Sequence, residues 1–301
     1  MRLARVSALL SFIFVTGCLN VETLHSGSSP VKLSSSNPPT EAAAPTPIRN
    51  IDFEKYTSTG QLRADCTTFN CVEDHLDDPN GTMSLDTTVG STGLTKSMKY
   101  TYLHPGDGCN TITVGRQILF PREQQVWAEF VVRFSANFTT DNGTCYPNAN
   151  KFIFGDTEAD LSGRWALHVG TDTGPWHSVT VERPLAPASQ GGMIGAYYMN
   201  VRRNLAAESI WDGNWHQIRL FYRNSTTPSS SDGAMKVWID GVVTHDETGF
   251  NTMKPIIPDG GGAEFINGFS FSHNKDDGPP GVPMSVWWGS IKVWNANPGW
   301  N

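Results

Sequence analysis

Apolar and polar positions alternate most regularly between Trp215 and Gly241. His216, Ile218, Leu220 and Tyr222 fall on one side of an extended chain, and Trp215, Gln217, Arg219 and Phe221 on the other, the period of two that marks a half-buried strand. Met235 to Ile239 repeats the alternation after a polar loop. Asp240-Gly241 then offers the left-handed backbone that a two-residue hairpin turn requires, before Val242-Val243 resume an extended run. The same reading predicts strands at Ile51–Phe53, Ser97–Tyr102, Thr111–Val114, Trp127–Phe134, Lys151–Phe154, Trp165–Val169, Ser178–Glu182, Ala196–Met199, Phe269–Ser272 and Val286–Trp294. With the hairpin this makes twelve strands and no amphipathic helix. The expected fold is all-β, two antiparallel sheets packed face to face.

The first residues follow another pattern. Arg2 and Arg5 precede an apolar run, Val6 to Val15, that is too short to span a bilayer, and Val15-Thr16-Gly17-Cys18 comes next. This resembles a bacterial lipobox, in which the thiol of Cys18 takes the diacylglyceryl group and further acyl chains make the anchoring firm. The segment that follows is rich in Ser, Pro and Ala and cannot bury enough apolar surface to fold. The expected organisation is a signal peptide over 1–17, a lipidated Cys18 with a disordered tether over 18–48, and a β-sandwich domain over 49–301. An extracytoplasmic lipoprotein follows, periplasmic or on the cell surface, touching the membrane through its lipid alone.

Charge narrows the partners. The net charge is −7, yet residues 116–236 hold 11 basic and 11 acidic side chains, while the segments 51–115 and 237–301 are both acidic. No basic stripe exists to hold nucleic acid. An acidic sugar chain held by a few Arg and Lys of the balanced centre stays compatible, and a monomer is expected. The 10 Trp supply faces on which sugar rings can stack.

Once Cys18 is acylated, Cys66, Cys71, Cys109 and Cys145 form an even set, which in an exported domain reads as two disulfides. Pairing Cys66 with Cys71 and Cys109 with Cys145 is favoured over the other two arrangements. No cofactor and no catalytic metal are expected. The loops Asp77-Asp78-Pro79-Asn80-Gly81 and Asp276-Asp277-Gly278-Pro279-Pro280 are either solvated turns or structural calcium sites.

The hairpin, with its Trp215-His216 start and its Val237-Trp238-Ile239-Asp240-Gly241 end, resembles that of the concanavalin A-like lectin/glucanase superfamily of jelly rolls. The order of features is most similar to polysaccharide lyase family 14 and its glucuronan-lyase relatives. Its parts here are Val126 to Phe138, then Asn150-Lys151-Phe152, then Ala196-Tyr197-Tyr198-Met199. The segment after Lys151 reads Phe-Ile-Phe-Gly-Asp where those lyases carry Gly and Pro. The resemblance implies a concanavalin-like jelly roll and a function in glycan recognition, leaning to cleavage of an acidic polysaccharide by β-elimination. The alternative is a non-catalytic, lectin-like carbohydrate-binding module.

Elimination from a uronic acid needs a neutraliser for the carboxylate, a base for the C5 proton and an acid for the departing O4. Tyr198, which matches a tyrosine of the lyases, joins His168, Arg164 and Lys151 as catalytic candidates. Alternation adds Asn200, Arg202, Trp176, His177 and Glu182 as substrate-binding candidates. His216, in an apolar row with Ile218 and Leu220, reads as structural. Asp156, Glu158 and Asp160 alternate like the carboxylates of jelly-roll glycosidases, but they lack that spacing and fall between Gly155 and Gly163, which reads as a loop.

Overall fold

In the computed structural model the chain divides into two units, Met1–Ala43 and Ala44–Asn301. The structure describes residues 44–69, 71, 76–78, 81–103, 115–138, 149–157, 164–170, 176–184, 194–197, 203–204, 210–227, 229–250, 265–275 and 282–300, all in the second unit.

These residues form two antiparallel sheets. The larger runs in the order β14 (Val242–Phe250), β13 (Gly233–Ile239), β12 (Trp215–Arg223), β6 (Gln125–Phe134), β16 (Met284–Trp294), β4 (Ser97–Tyr102), β3 (Gly81–Asp86) and β2 (Asp77–Asp78). Strand β1 (Arg49–Asp52) pairs with β16, so the first and last strands of the domain meet. The smaller sheet runs β10 (Ile194–Tyr197), β9 (Trp176–Pro184), β8 (Arg164–Gly170), β7 (Ala149–Thr157), β15 (Ile266–Lys275) and β5 (Arg116–Glu123), with β11 (Arg203–Asn204) beside β9.

Alternation builds the core. Phe130 and Phe134 of β6, Ile218 and Leu220 of β12, and Trp288 and Ile291 of β16 turn inward and are almost wholly buried. They meet the inner residues of the smaller sheet: Phe130 lies 5.6 Å from Phe269, Phe134 lies 4.9 Å from Phe152, and Phe152 stacks on Trp288 at 4.8 Å. Each of these rings removes a large apolar area from water and adds a favourable ring geometry. The turn after β13 forms as expected, with Asp240 at φ 50° and Gly241 at φ 80°. That pair of positive φ values matches the twist of the flanking strands.

Several elements differ from the sequence reading. Strand β5 contains Pro121, which argues against a strand in general but is tolerated at a sheet edge, and among the described residues β5 lies at the edge of its sheet. Strands β2 and β3 occupy a segment whose Asp-rich start read as a turn, and the predicted strand at Thr111–Val114 lies outside the described residues. Asp156 belongs to β7 rather than to a loop. A five-residue helix, α1 (Thr59–Arg63), is also present, started by Ser58 accepting from the Gln61 N–H while Gln61 accepts from the Thr57 N–H. The first bond is the N-cap half of a capping box, legible as Ser-x-x-Gln, while Gln61 reaches back one residue beyond the cap.

Behind α1, a disulfide joins Cys66 to Cys71. Phe69, inside that small ring, lies under the buried Arg116 guanidinium at 3.9 Å, and Arg116 Nη1 donates to the Leu62 carbonyl at 2.6 Å. The edge strand β5 is thereby fastened to the N-terminal helix by an arginine whose charge is partnered. Cys109 and Cys145 lie outside the described residues.

Candidate functional site

The smaller sheet has an inner face, carrying Ile118, Ile153 and Phe269, and an outer face formed by the alternate positions. Register fixes the outer rows. Gln117, Ser270, Phe154, Ala166 and Thr180 line up across five strands. In the next row along, Lys151 is paired with Asn274 on one side and His168 on the other, and His168 is paired with Ser178. Directly opposed residues of an antiparallel pair have Cβ atoms about 4.5–5.5 Å apart.

A bulge produces that row. Lys151 pairs with His168 but Ile153 pairs with Leu167, so Phe152 is the extra residue of β7. Phe152 and Ile153 both belong to the core between the sheets, which plain alternation would not give. The extra residue lets two consecutive apolar side chains enter the core while Lys151 keeps the register position of His168.

Arg164 is paired with Glu182, which is paired in turn with Ala196. Arg164 lies four residues from His168, so the two positions are about 13 Å apart along the strand. Trp176 is opposed to Gly170 and Asn204, and shares the face of Ser178 by alternation. His177 is opposed to Val169 and Arg203. Strand β10 is described as far as Tyr197. Tyr198, Asn200 and Arg202, like Glu158, Asp160, Cys18 and the 276–280 loop, lie outside the described residues.

Of the other calcium candidate, Asp77 is engaged by the Arg63 guanidinium and by Thr82 Oγ1 at 3.1 Å. Its carboxyl is held below the ordinary value, mainly by the Arg63 hydrogen bond. Among the described residues no group of three or more His, Cys, Asp and Glu is arranged to hold a metal ion.

The larger sheet carries a second set of polar residues that its sequence did not announce. On its outer face Glu129 Oε2 accepts from Gln217 Nε2 and Arg219 Nε, each at 3.1 Å, and Lys292 Nζ lies 3.7 Å from Glu129 Oε1. Four residues on three strands converge, so no spacing within one strand reveals them. His216, in contrast, projects from the inner row beyond the end of β13. Its Nδ1 lies 2.7 Å from Asp240 Oδ2 and its Nε2 2.9 Å from Asp212 Oδ1. Burial disfavours the charged ring, but the two carboxylates outweigh it and raise its pKa above the ordinary value. Asp212 is exposed, and although what desolvation it has works against ionisation, the bonds from His216 and Asn214 hold its carboxyl at about 2.

No family model matches this sequence, and no curated protein matches it. Solved structures do. The endo-β-1,4-glucuronan lyase from the fungus Trichoderma reesei is similar over 85% of this chain and 100% of its own, at 15% identity and a TM-score of 0.55. The marine PL-14 alginate lyase from Aplysia kurodai is similar over 83% of this chain and 99% of its own, at 11% identity and a TM-score of 0.53. The class is therefore defined: an all-β, concanavalin-like jelly-roll sandwich. At these identities the likeness is one of fold, which many chemistries share.

Proposed function

We propose that this protein is a membrane-tethered, extracytoplasmic lipoprotein that holds an acidic polysaccharide on the outer face of its smaller sheet and cleaves it by β-elimination. The observation that carries the reading is the pairing of Lys151 with His168 on adjoining strands, with Arg164 on the same strand as His168 and facing Glu182 in register. A cation and a proton-transfer group at opposed positions are what the chemistry asks for. One lowers the cost of charge growing on the uronate carboxylate as the C5 proton leaves, and the other moves a proton. The C5–H bond breaks to the base, C4=C5 forms, and the C4–O4 bond breaks as an acid protonates O4. Arg164 or Lys151 takes the first role. His168 and Tyr198 divide the proton transfers, with Asn200, Arg202, Trp176 and Glu182 along the chain of sugars.

A second reading has its own support. Phe152, next to Lys151, is fully buried against Trp288, so this segment serves the core where the lyases carry Gly and Pro. A sugar-binding module without turnover would keep the face and lose the chemistry. The two readings part on one assay, in which the full-length protein is incubated with polyglucuronate, polymannuronate and polyguluronate and the ultraviolet absorbance of the unsaturated product is followed. Rising absorbance with one polymer is expected. Binding of a polymer, by affinity electrophoresis, with no unsaturated product would leave the lectin-like reading standing and remove the enzyme.

A further inference from the structure

The outer face of the larger sheet holds an open cavity of about 520 Å³, on the side of the sandwich away from the smaller sheet. Its polar lining comes from Asn50 and Asp52 of β1, Ser290 and Lys292 of β16, Glu129 of β6 and Gln217 of β12. Val131 lies in register between Ser290 and Gln217 and forms an apolar floor. Leu94 and Trp215 supply apolar walls.

The walls are tightly fitted. A Cβ on Gly289, the extra residue of a bulge in β16, would lie 2.7 Å from Ser91 Cβ and 3.1 Å from the Trp215 ring. The 91–94 segment and Trp215 can therefore close on the strand only because that position has no side chain.

Three properties define what fits. The volume lies in the range of small-ligand sites. The charge is the wrong sign for an anion: Asp52, Asp240 and Glu129 stand against Lys292 and His216, and Glu129 already holds Gln217 and Arg219. Metal ligation is unsupported among the described residues. What remains is a mixture of amide, hydroxyl and carboxylate groups around a small apolar floor. Asn50, Thr92 and Ser290 have side-chain groups that no hydrogen bond among the described residues takes up. Hydroxyls flanking an apolar C–H face are the complement of such a surface.

We propose that this cavity is a second glycan site, built for a neutral pyranose unit and separate from the face that takes uronic acids. The protein would then hold two chemically different sugars on opposite sides of one sandwich.

The test is titration calorimetry of the full-length protein with cellohexaose, mannohexaose, a glucosamine hexamer and hexaglucuronate. Asn50→Ala, which removes an exposed side chain, and Ser290→Leu, which puts a larger side chain into the lining of the cavity, are compared with the parent. At least one of the two neutral oligomers is expected to bind, with affinity reduced at least ~10-fold in Asn50→Ala, the loss of about 1.4 kcal/mol that one good polar contact carries. Action on the uronic-acid polymer should be unchanged in Asn50→Ala, which separates this proposal from the first. The proposal is overturned if neither neutral oligomer binds at millimolar concentration, or if binding is equal in the parent and Asn50→Ala. It is also overturned if the glucosamine hexamer or hexaglucuronate is the oligomer whose binding Asn50→Ala weakens. Should Ser290→Leu fail to fold, Asn50→Ala alone decides.

Discussion

His216 and Asp240 join the two ends of the hairpin that the sequence marks most clearly. His216 Nδ1 lies 2.7 Å from Asp240 Oδ2, and Asp240 Oδ1 accepts from the Gln217 N–H at 2.8 Å. The left-handed turn residue is thus tied to the first strand by both carboxylate oxygens, and Asp212 closes on the other ring nitrogen. The histidine acts as a clasp between strand and turn.

The clasp has a pH signature. The folded pKa of His216 is raised above its ordinary 6.5, so its contribution is complete below that value and fades as pH climbs through the raised one. Asp212 is lowered from 3.8 to about 2, so its share is present above 3.8 and is lost as pH falls toward about 2. His216→Gln is expected to cost about 1–3 kcal/mol near pH 5, and less near pH 9. Urea midpoints of parent and variant across that range check this. A gap that stays constant from pH 5 to pH 9 would refute the ionic account.

Two glycines are fixed by close approach. A Cβ on Gly90 would overlap the Leu94 carbonyl and lie 2.7 Å from the Thr95 carbonyl carbon, whereas Gly289 is crowded by the side chains of Ser91 and Trp215. Side chains give way more cheaply than backbone. Gly289→Ala should cost about 1–3 kcal/mol and Gly90→Ala more, read from the denaturant midpoint. The reverse order would show that the 90–95 loop adapts.

Removing the Cys66–Cys71 bridge by a double Cys→Ala change should lower stability by about 2 kcal/mol, the loop-closure value for so short a ring. The effect should couple to Arg116→Met, since Arg116 contacts both Phe69 within the ring and the sulfur of Cys71 at 3.9 Å. A double-mutant cycle with zero coupling would separate the two.

If the proposed elimination occurs on the smaller sheet, His168→Ala and Tyr198→Phe should each lower turnover on the responsive uronic-acid polymer by at least ~100-fold with the fold retained. Circular dichroism checks the fold and product absorbance checks the turnover. Full turnover in both variants would move the chemistry elsewhere on the protein.

The lipid anchor is tested at the thiol. Cys18→Ala should abolish incorporation of a clickable fatty acid, and equal labelling of the variant and the parent would remove the lipoprotein assignment.

The sequence by itself determined what depends on neighbouring residues. Alternation around Ile218 and Val237 defines two strands, and Asp240-Gly241 defines their turn, because side-chain direction and positive φ are properties of the local backbone. The Ser58-to-Gln61 cap was equally legible in principle, being confined to one helical turn. Strand β5 was not, since Pro121 is acceptable at a sheet edge or a bulge, and both the edge position among the described residues and the irregular register between Leu119 and Glu123 exist only once the sheet has formed. The position of Lys151 beside His168 was likewise decided in three dimensions. Period two alone would send Phe152 and Ile153 to opposite faces, and the bulge that buries both arises from packing against Phe134 and Trp288. The Glu129 cluster and its cavity depend on β6 lying between β12 and β16, strands far apart in the chain. Which strands become neighbours is set by the burial of apolar faces against each other, and that free energy is a property of the assembled sandwich rather than of any segment.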